Sequence, residues 1–348
     1  MPTQHMSRIW LFVHERETLI SIGIFGITQM LADVLADFGY QRWSAGTRLL
    51  GLVLLAMVLV ADYRRRATPL WVPVLFSEEE SRGQLRSQFD RFVRDAQLPK
   101  HVRELEKLSP IRSQDLCIRV SRHVRSSQQP SVWQDALESL LREWEREVDA
   151  PLQRWLPRFH SGIVYHIRPS VVLPLAFAMG YAVGLRRSIV LYHSIPPGQV
   201  YQVMNLVHPR VLFEQSQPSL PIEQIPSDAK PPEWGERLIL HLIVSDRHTP
   251  MLNAHPEHHQ ATNVAIYLKQ TLPQGDWLSY AQAIWQKATP WVNAFQQVDL
   301  CLMGTDALMF ALGMAFSRTP RLRVCHWLDG QYLPVIDLSH ISARPPFD

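Results

Sequence analysis

Cysteine is scarce in this chain of 348 residues: Cys117, Cys301 and Cys325, each inside an apolar run. An odd count in strand-like settings excludes a disulfide framework and predicts buried thiols in a reducing compartment. No CxxC or Cys/His zinc spacing occurs. Glycine (15) is outnumbered by proline (26), and neither gathers into a block. The formal charge of +3 is too small a basic excess for a dedicated binder of long nucleic acid, although a small anionic ligand stays open. Also missing are G-x-S-x-G, Walker A, H-E-x-x-H and G-x-G-x-x-G, and no nucleophile stands beside an evident base. What is present is a hydrophobic share of 46% against 19% charged, which excludes a disordered chain. The length suits one large domain or two modest ones.

Residues 1–66 differ from the rest. Thr18 to Ala32 and Leu49 to Ala61 are free of charge, and Arg64-Arg65-Arg66 follows the second run. A membrane helix needs about 20 mainly apolar residues. Only the extended segments Thr18–Tyr40 and Trp43–Tyr63 reach that length, the first carrying Asp33 and Asp37. With Arg8, Arg16 and Arg64 to Arg66 on one side, the positive-inside rule predicts a transmembrane hairpin with both ends in the cytoplasm. The competing reading is a helical hairpin buried in a soluble core. Gln29, Asp33 and Asp37 share one helix face, which suits a pore, a bundle or the outer headgroup layer.

From Leu70 onward strands and helices alternate. The first series is Leu70–Phe76, a helix opened by Ser77-Glu78-Glu79-Glu80 as a capping box, Leu116–Val120, a helix from Ser131, Gly162–Ile167, the apolar stretch Val171–Leu185, and Ser188–His193. The charge-free stretch Val171–Leu185 contains Pro174, Gly180 and Gly184 and lies between strands, so it reads as a buried helix rather than a membrane span. The series restarts with Arg237–Val244, Asn263–Leu268, a helix from Trp277, Val298–Met303, an apolar helix Ala307–Phe316 and Leu322–Trp327. Phe177, Ala178, Gly180, Ala182 and His193 align without a gap with Phe310, Ala311, Gly313, Ala315 and His326. The pattern predicts an internal duplication: two tandem α/β units forming a pseudo-dimer, over 67–195 and 237–348, joined by a polar, proline-rich linker at 196–236.

In open parallel sheets, ligands bind beyond the carboxyl ends of the strands. That rule selects Ser77, Arg168, Ser170, His193, Ser245, Asp246, Arg247, His248, Gly304, Thr305 and Asp306, and the region after Trp327. Helix N-termini there offer backbone N–H groups to phosphate oxygens. Taken singly, each polar residue also reads as a helix cap; the functional case is that the whole edge is polar in both repeats. His193 and His326 read either as general bases or as polar ends of buried strands. His255, Glu257, His258 and His259 lie in a proline-containing loop without an evident set of converging ligands, so they read as a loop rather than a metal site.

Gly304-Thr305-Asp306-Ala307-Leu308, then Phe310-Ala311-Leu312-Gly313, Pro320 and the closing Tyr332-Leu333-Pro334-Val335, resemble the end of a SAVED domain. The duplication is similar as well, since a SAVED domain is a fusion of two CARF-like Rossmann units. The resemblance covers Leu70 to Leu338, with His326 in place of the strand-end Glu common in such domains. It implies a sensor of a cyclic oligonucleotide messenger in bacterial antiviral defence, as in CBASS and type III CRISPR systems. The ligand would be a cyclic tri- or tetra-adenylate type, with no metal or other cofactor. Binding would drive homo-oligomerisation and switch on the fused effector. Here that effector would be the 1–66 hairpin, which would disrupt the lipid of the inner membrane while the sensor stays in the cytoplasm. Two rivals follow: a phosphodiesterase that cleaves the messenger, with His193 and His326 as its only suggestive pair, and a soluble interaction protein.

Overall fold

The computed structural model describes residues 23, 25–79, 81–155, 162–195, 198–246 and 248–341. The chain divides into two compact units, residues 1–69 with 155–162, and residues 70–154 with 163–348.

The first unit contains two helices, α1 over residues 25–37 and α2 over Gln41–Ala67. Between them Gly39 takes φ +82°, with Gly39 N–H bonded to Ala36 O and Tyr40 N–H to Leu35 O. This is the glycine-terminated helix end that only a residue without Cβ adopts freely. A methyl on Gly51 would overlap the Thr28 side chain, so the helices approach closely there. Asp33, predicted to share a polar stripe with Gln29 and Asp37, is partnered by Arg48. Apolar side chains point outward from both helices, among them Met30, Phe38, Trp43, Leu49, Leu50 and Met57. No helix among the described residues is long and apolar enough to cross a membrane. The membrane-spanning hairpin predicted over 1–66 is therefore not supported. Charges cut both runs short, Arg48 and Asp62 around one, Glu17 and Asp33 around the other. Residues 1–22 lie outside the described part.

The second unit holds two sheets. The first has β1 (Leu70–Ser77), β2 (Cys117–Arg119), β3 (Ile163–Ser170), β4 (Ser188–Ile195) and β5 (Gln199–Leu206) in the order β2-β1-β3-β4-β5. All run parallel except β5, which pairs antiparallel with β4. The second has β6 (Glu223–Ile225), β7 (Gly235–Val244), β8 (Thr262–Leu268), β9 (Phe295–Met303), β10 (Leu322–Leu328) and β11 (Gln331–Asp337). Its order is β11-β10-β9-β7-β8-β6. Apart from the extra edge strand β6, the series β8-β7-β9-β10-β11 repeats the first sheet, including the final antiparallel hairpin. The tandem Rossmann-type reading holds. The stretch 196–236 is more than a linker, however, because it supplies β5 and β6. Buried Val200, Val203, Met204 and Leu206 give β5 its apolar side.

Helices α3 (Arg82–Asp95) and α4 (Pro99–Leu108) connect β1 to β2, while α5 (Pro130–Trp144) and α6 (Ala150–Trp155) connect β2 to β3. Helix α7 (Leu173–Val183) joins β3 to β4, α8 (Leu278–Ala294) joins β8 to β9, and α9 (Asp306–Phe316) joins β9 to β10. The capping box predicted at Ser77 is corrected: Ser77 ends β1, and α3 starts later, capped by Ser81, whose Oγ accepts from Gln84 N–H. Ser77 Oγ instead accepts from Glu79 N–H at 3.1 Å.

The centre of this unit is the pair α7 and α9, the two helices that the repeat aligns. Both are apolar on every face, as buried helices must be. Each packs on the sheet of the opposite half, α7 on β9 and β10, α9 on β3 and β4. Their contact is reciprocal. A methyl on Gly180 would overlap Phe310 O, and one on the equivalent Gly313 would overlap Phe177 O. This is the self-complementary contact of a two-fold dimer built into one chain. Burial of Phe177 and Phe310 contributes about 1.5–3 kcal/mol each. Cys301 and Cys325, neighbours in register on β9 and β10, are free buried thiols, and burial pushes the Cys117 thiol up to about 12.

Candidate functional site

The carboxyl ends of the central strands and the N-termini of α7 and α9 enclose a cleft of about 830 Å³. Its lining gathers five of the predicted residues, His193, His248, Gly304, Thr305 and Asp306, together with His326. His193 leaves β4 of the first half, and its Nδ1 lies 3.1 Å from Asp306 Oδ1 at the start of α9 in the second half. The same carboxylate oxygen accepts from Ala307 N–H at 2.7 Å, so Asp306 both caps α9 and orients the imidazole. Trp277 and Tyr201 fix the other side of that ring, with the Trp277 centroid 5.1 Å away. His248 Nδ1 is 3.0 Å from Ser245 Oγ. His326 Nε2 donates to Arg125 O at 3.0 Å, and its ring packs on Trp133. Burial lowers the pKa of His326, and the bond to Arg125 O opposes this only in part. The ring is therefore neutral at pH 7.

The other predicted residues lie elsewhere. Ser77 and Ser170 line a neighbouring polar cavity of about 460 Å³ with Glu78, Glu79, Gln88, Arg122 and Arg125. Arg168 lies within β3, nearly buried, and donates to Ser194 Oγ at 3.0 Å. Burial pushes its pKa down, and Asp306 opposes that shift. Neither Arg168, Ser245 nor Asp246 lines the cleft, and Arg247 lies outside the described residues. The edge rule does not choose among them because successive strand side chains point to opposite faces.

Arg125 lines both cavities and pairs with Glu78 at 2.9 Å. Glu78 Oε1 in turn accepts from Val172 N–H at 2.6 Å, at the start of α7. Both helix N-termini that face the cleft thus hold a carboxylate of the chain itself, Glu78 on α7 and Asp306 on α9. Sequence reasoning selected the region after Trp327, where Tyr332 lies, but missed Arg125, Met251 and Trp327 itself in the lining. The available signal was the aromatic residue at the end of β10.

His255, Glu257 and Asp299 come close enough together to suggest a metal site. Both carboxylates are already engaged. Asp299 accepts four bonds, two from Arg237 and two from Arg323, at 2.7–3.0 Å. Glu257 also pairs with Arg237. His255 Nδ1 accepts from Glu257 N–H, which leaves the ring proton on Nε2. This is an ion-pair network that ties the loop after β7 to β9.

These features define a class: a duplicated Rossmann-type α/β domain with a cleft where its halves meet. Two solved structures share the fold. Both are of the Acinetobacter baumannii Cap4 SAVED/CARF-domain containing receptor. One, with the cyclic trinucleotide 2'3'3'-cAAA, has TM-score 0.51 and 13% identity, over 86% of this chain and 59% of that one. The other, with 3'3'3'-cAAA, has TM-score 0.52 and 13% identity, over 86% of this chain and 60% of that one. The chain thus spans about three-fifths of the length of the receptor it resembles. No family model matches the chain, and no curated protein matches it.

Proposed function

We propose that the chain is a receptor for a cyclic oligonucleotide of about three residues, bound in the cleft between the two halves. The observation that carries this reading is the convergence of His193, His248, His326 and Arg125 from both halves on one cavity. It is supported by a fold shared with receptors whose structures hold cyclic trinucleotides. A charge-assisted hydrogen bond from Arg125 and hydrogen bonds from imidazole N–H groups suit phosphodiester oxygens. Isothermal titration of the full chain with 2'3'3'-cAAA, 3'3'3'-cAAA and a panel of other rings tests it. One ring is expected to bind at micromolar concentration or tighter, and no binding across the panel sinks the reading. In this reading the ring is bound without being cleaved. Chromatography after incubation should recover it intact.

Output falls to the helical pair. Its outward apolar side chains are suited to cover by lipid of the inner membrane. Binding then promotes assembly of several copies and disturbs that membrane, provided the ligand favours the assembled state. Flotation of the full chain with anionic phospholipid vesicles is expected. Protein that stays at the bottom of the gradient removes the membrane from the reading.

A further inference from the structure

We infer that Trp327 is a stacking platform for a nucleobase of the bound ring. This rests on the receptor reading above and assigns a base-binding subsite within the same cleft. Trp327 lines the cleft yet is 38% exposed, and Met251, in the same lining, is 48% exposed. They place two large apolar groups in water beside Arg125, His248 and His326. The tryptophan is held firmly. It is the penultimate residue of β10 and pairs with Tyr332 across the β10–β11 hairpin. The Tyr332 ring meets it edge-on, with centroids 4.9 Å apart at 70°. Tyr332 is itself buried, and its N–H bonds to Ala254 O at 2.9 Å.

The hairpin is closed by Asp329 (φ +50°) and Gly330 (φ +85°), the two-residue turn that best matches strand twist. Asp329 is anchored by Gln128 of the first half at 3.0 Å. A rigid indole loses little conformational freedom on binding, so its exposed face is available to a flat partner. Every base offers a π face, and purines offer the larger one. Thr305 Oγ1, buried in the same lining, has no hydrogen-bond partner among the described residues. It is a polar group that a base edge or ribose hydroxyl can satisfy.

The test is titration of the full chain, its Trp327→Leu and its Trp327→Phe with the tightest-binding ring. The same ring with one purine replaced by an abasic residue completes the cycle. Stacking predicts a loss of about 5- to 150-fold for Trp327→Leu and a smaller loss for Trp327→Phe. The abasic ring should cost the unaltered protein affinity but cost Trp327→Leu little more. Equal affinity in all three proteins, or additive losses from leucine and the abasic ring, overturns the platform while leaving the receptor reading intact. If the unaltered protein binds no ring, the receptor reading fails and the platform with it. Should Trp327→Leu not fold, the abasic comparison on Trp327→Phe decides: an undiminished abasic penalty overturns the inference.

Discussion

Asp306 joins the two halves through one carboxylate, bonded to Ala307 N–H and to His193. Replacement by Ala removes the cap and leaves the imidazole unoriented. Loss of about 1–2 kcal/mol is expected, read as a lower urea midpoint. Glu78 makes a different prediction. Its carboxylate holds Arg125 and the start of α7. In Glu78→Gln the amide oxygen still accepts from Val172 N–H, but the charge on Arg125 is released. Because Arg125 is largely exposed, the pair is worth less than about 1 kcal/mol. Affinity for an anionic ring should therefore rise about two- to five-fold by titration, and a fall would show that Glu78 itself contacts the ligand. Arg125 escaped the sequence reading because it closes the stretch from Arg82, where basic and acidic residues alternate without a distinguishing pattern. Its place in the lining depends on His326, 201 residues away in the chain.

Among the elements, α7 and α9 carry the clearest expectation. Gly180 and Gly313 are where each helix meets the backbone of the other. Backbone cannot turn aside as a flexible side chain can, so Gly180→Ala or Gly313→Ala must push the helices apart. Overpacking of this kind costs about 1–3 kcal/mol or more. Since each helix packs on the sheet of the opposite half and on the other helix, the loss should appear in the single unfolding transition of the whole α/β unit, followed by circular dichroism in urea. Separate transitions for the two halves would show that they do not share a core. The matched glycines were visible in the chain as part of the aligned repeat, and Pro174 with flanking strands marked Val171–Leu185 as buried. Strand β5 was not read, because its apolar residues lie between proline-rich segments that resemble a linker.

For the whole molecule, two buried histidines set an acid limit. Burial lowers His241 from 6.5 to about 4, and His166 from 6.5 to about 3, each with a smaller push from a second histidine. Between pH 6.5 and these values the unfolded chain takes up protons that the folded chain refuses. Stability is thus fully present above pH 6.5 and falls as pH drops towards 4 and then 3. The loss is about 2 kcal/mol per histidine at pH 5. Both ring nitrogens of His241 are buried without a hydrogen-bond partner among the described residues. His241→Leu should accordingly flatten the fall of the urea midpoint between pH 7 and pH 5. An unchanged slope would show that His241 does not set the acid limit.

The chain by itself determined the alternation of strands and helices, the duplication and the polarity of the strand-end edge. Each of these is a local pattern: apolar runs of strand or helix length, punctuated by glycine and proline, recurring in one order. Tertiary structure decided which edge residues share a cavity. The contacts that build it join His193 to Asp306 and Arg125 to His326, pairs brought together only when the second half folds onto the first. Local periodicity contains no term for such a crossing. Nor does it show that Glu78 already holds the start of α7, because a carboxylate reaches a backbone N–H of another element only after the sheets and helices have packed.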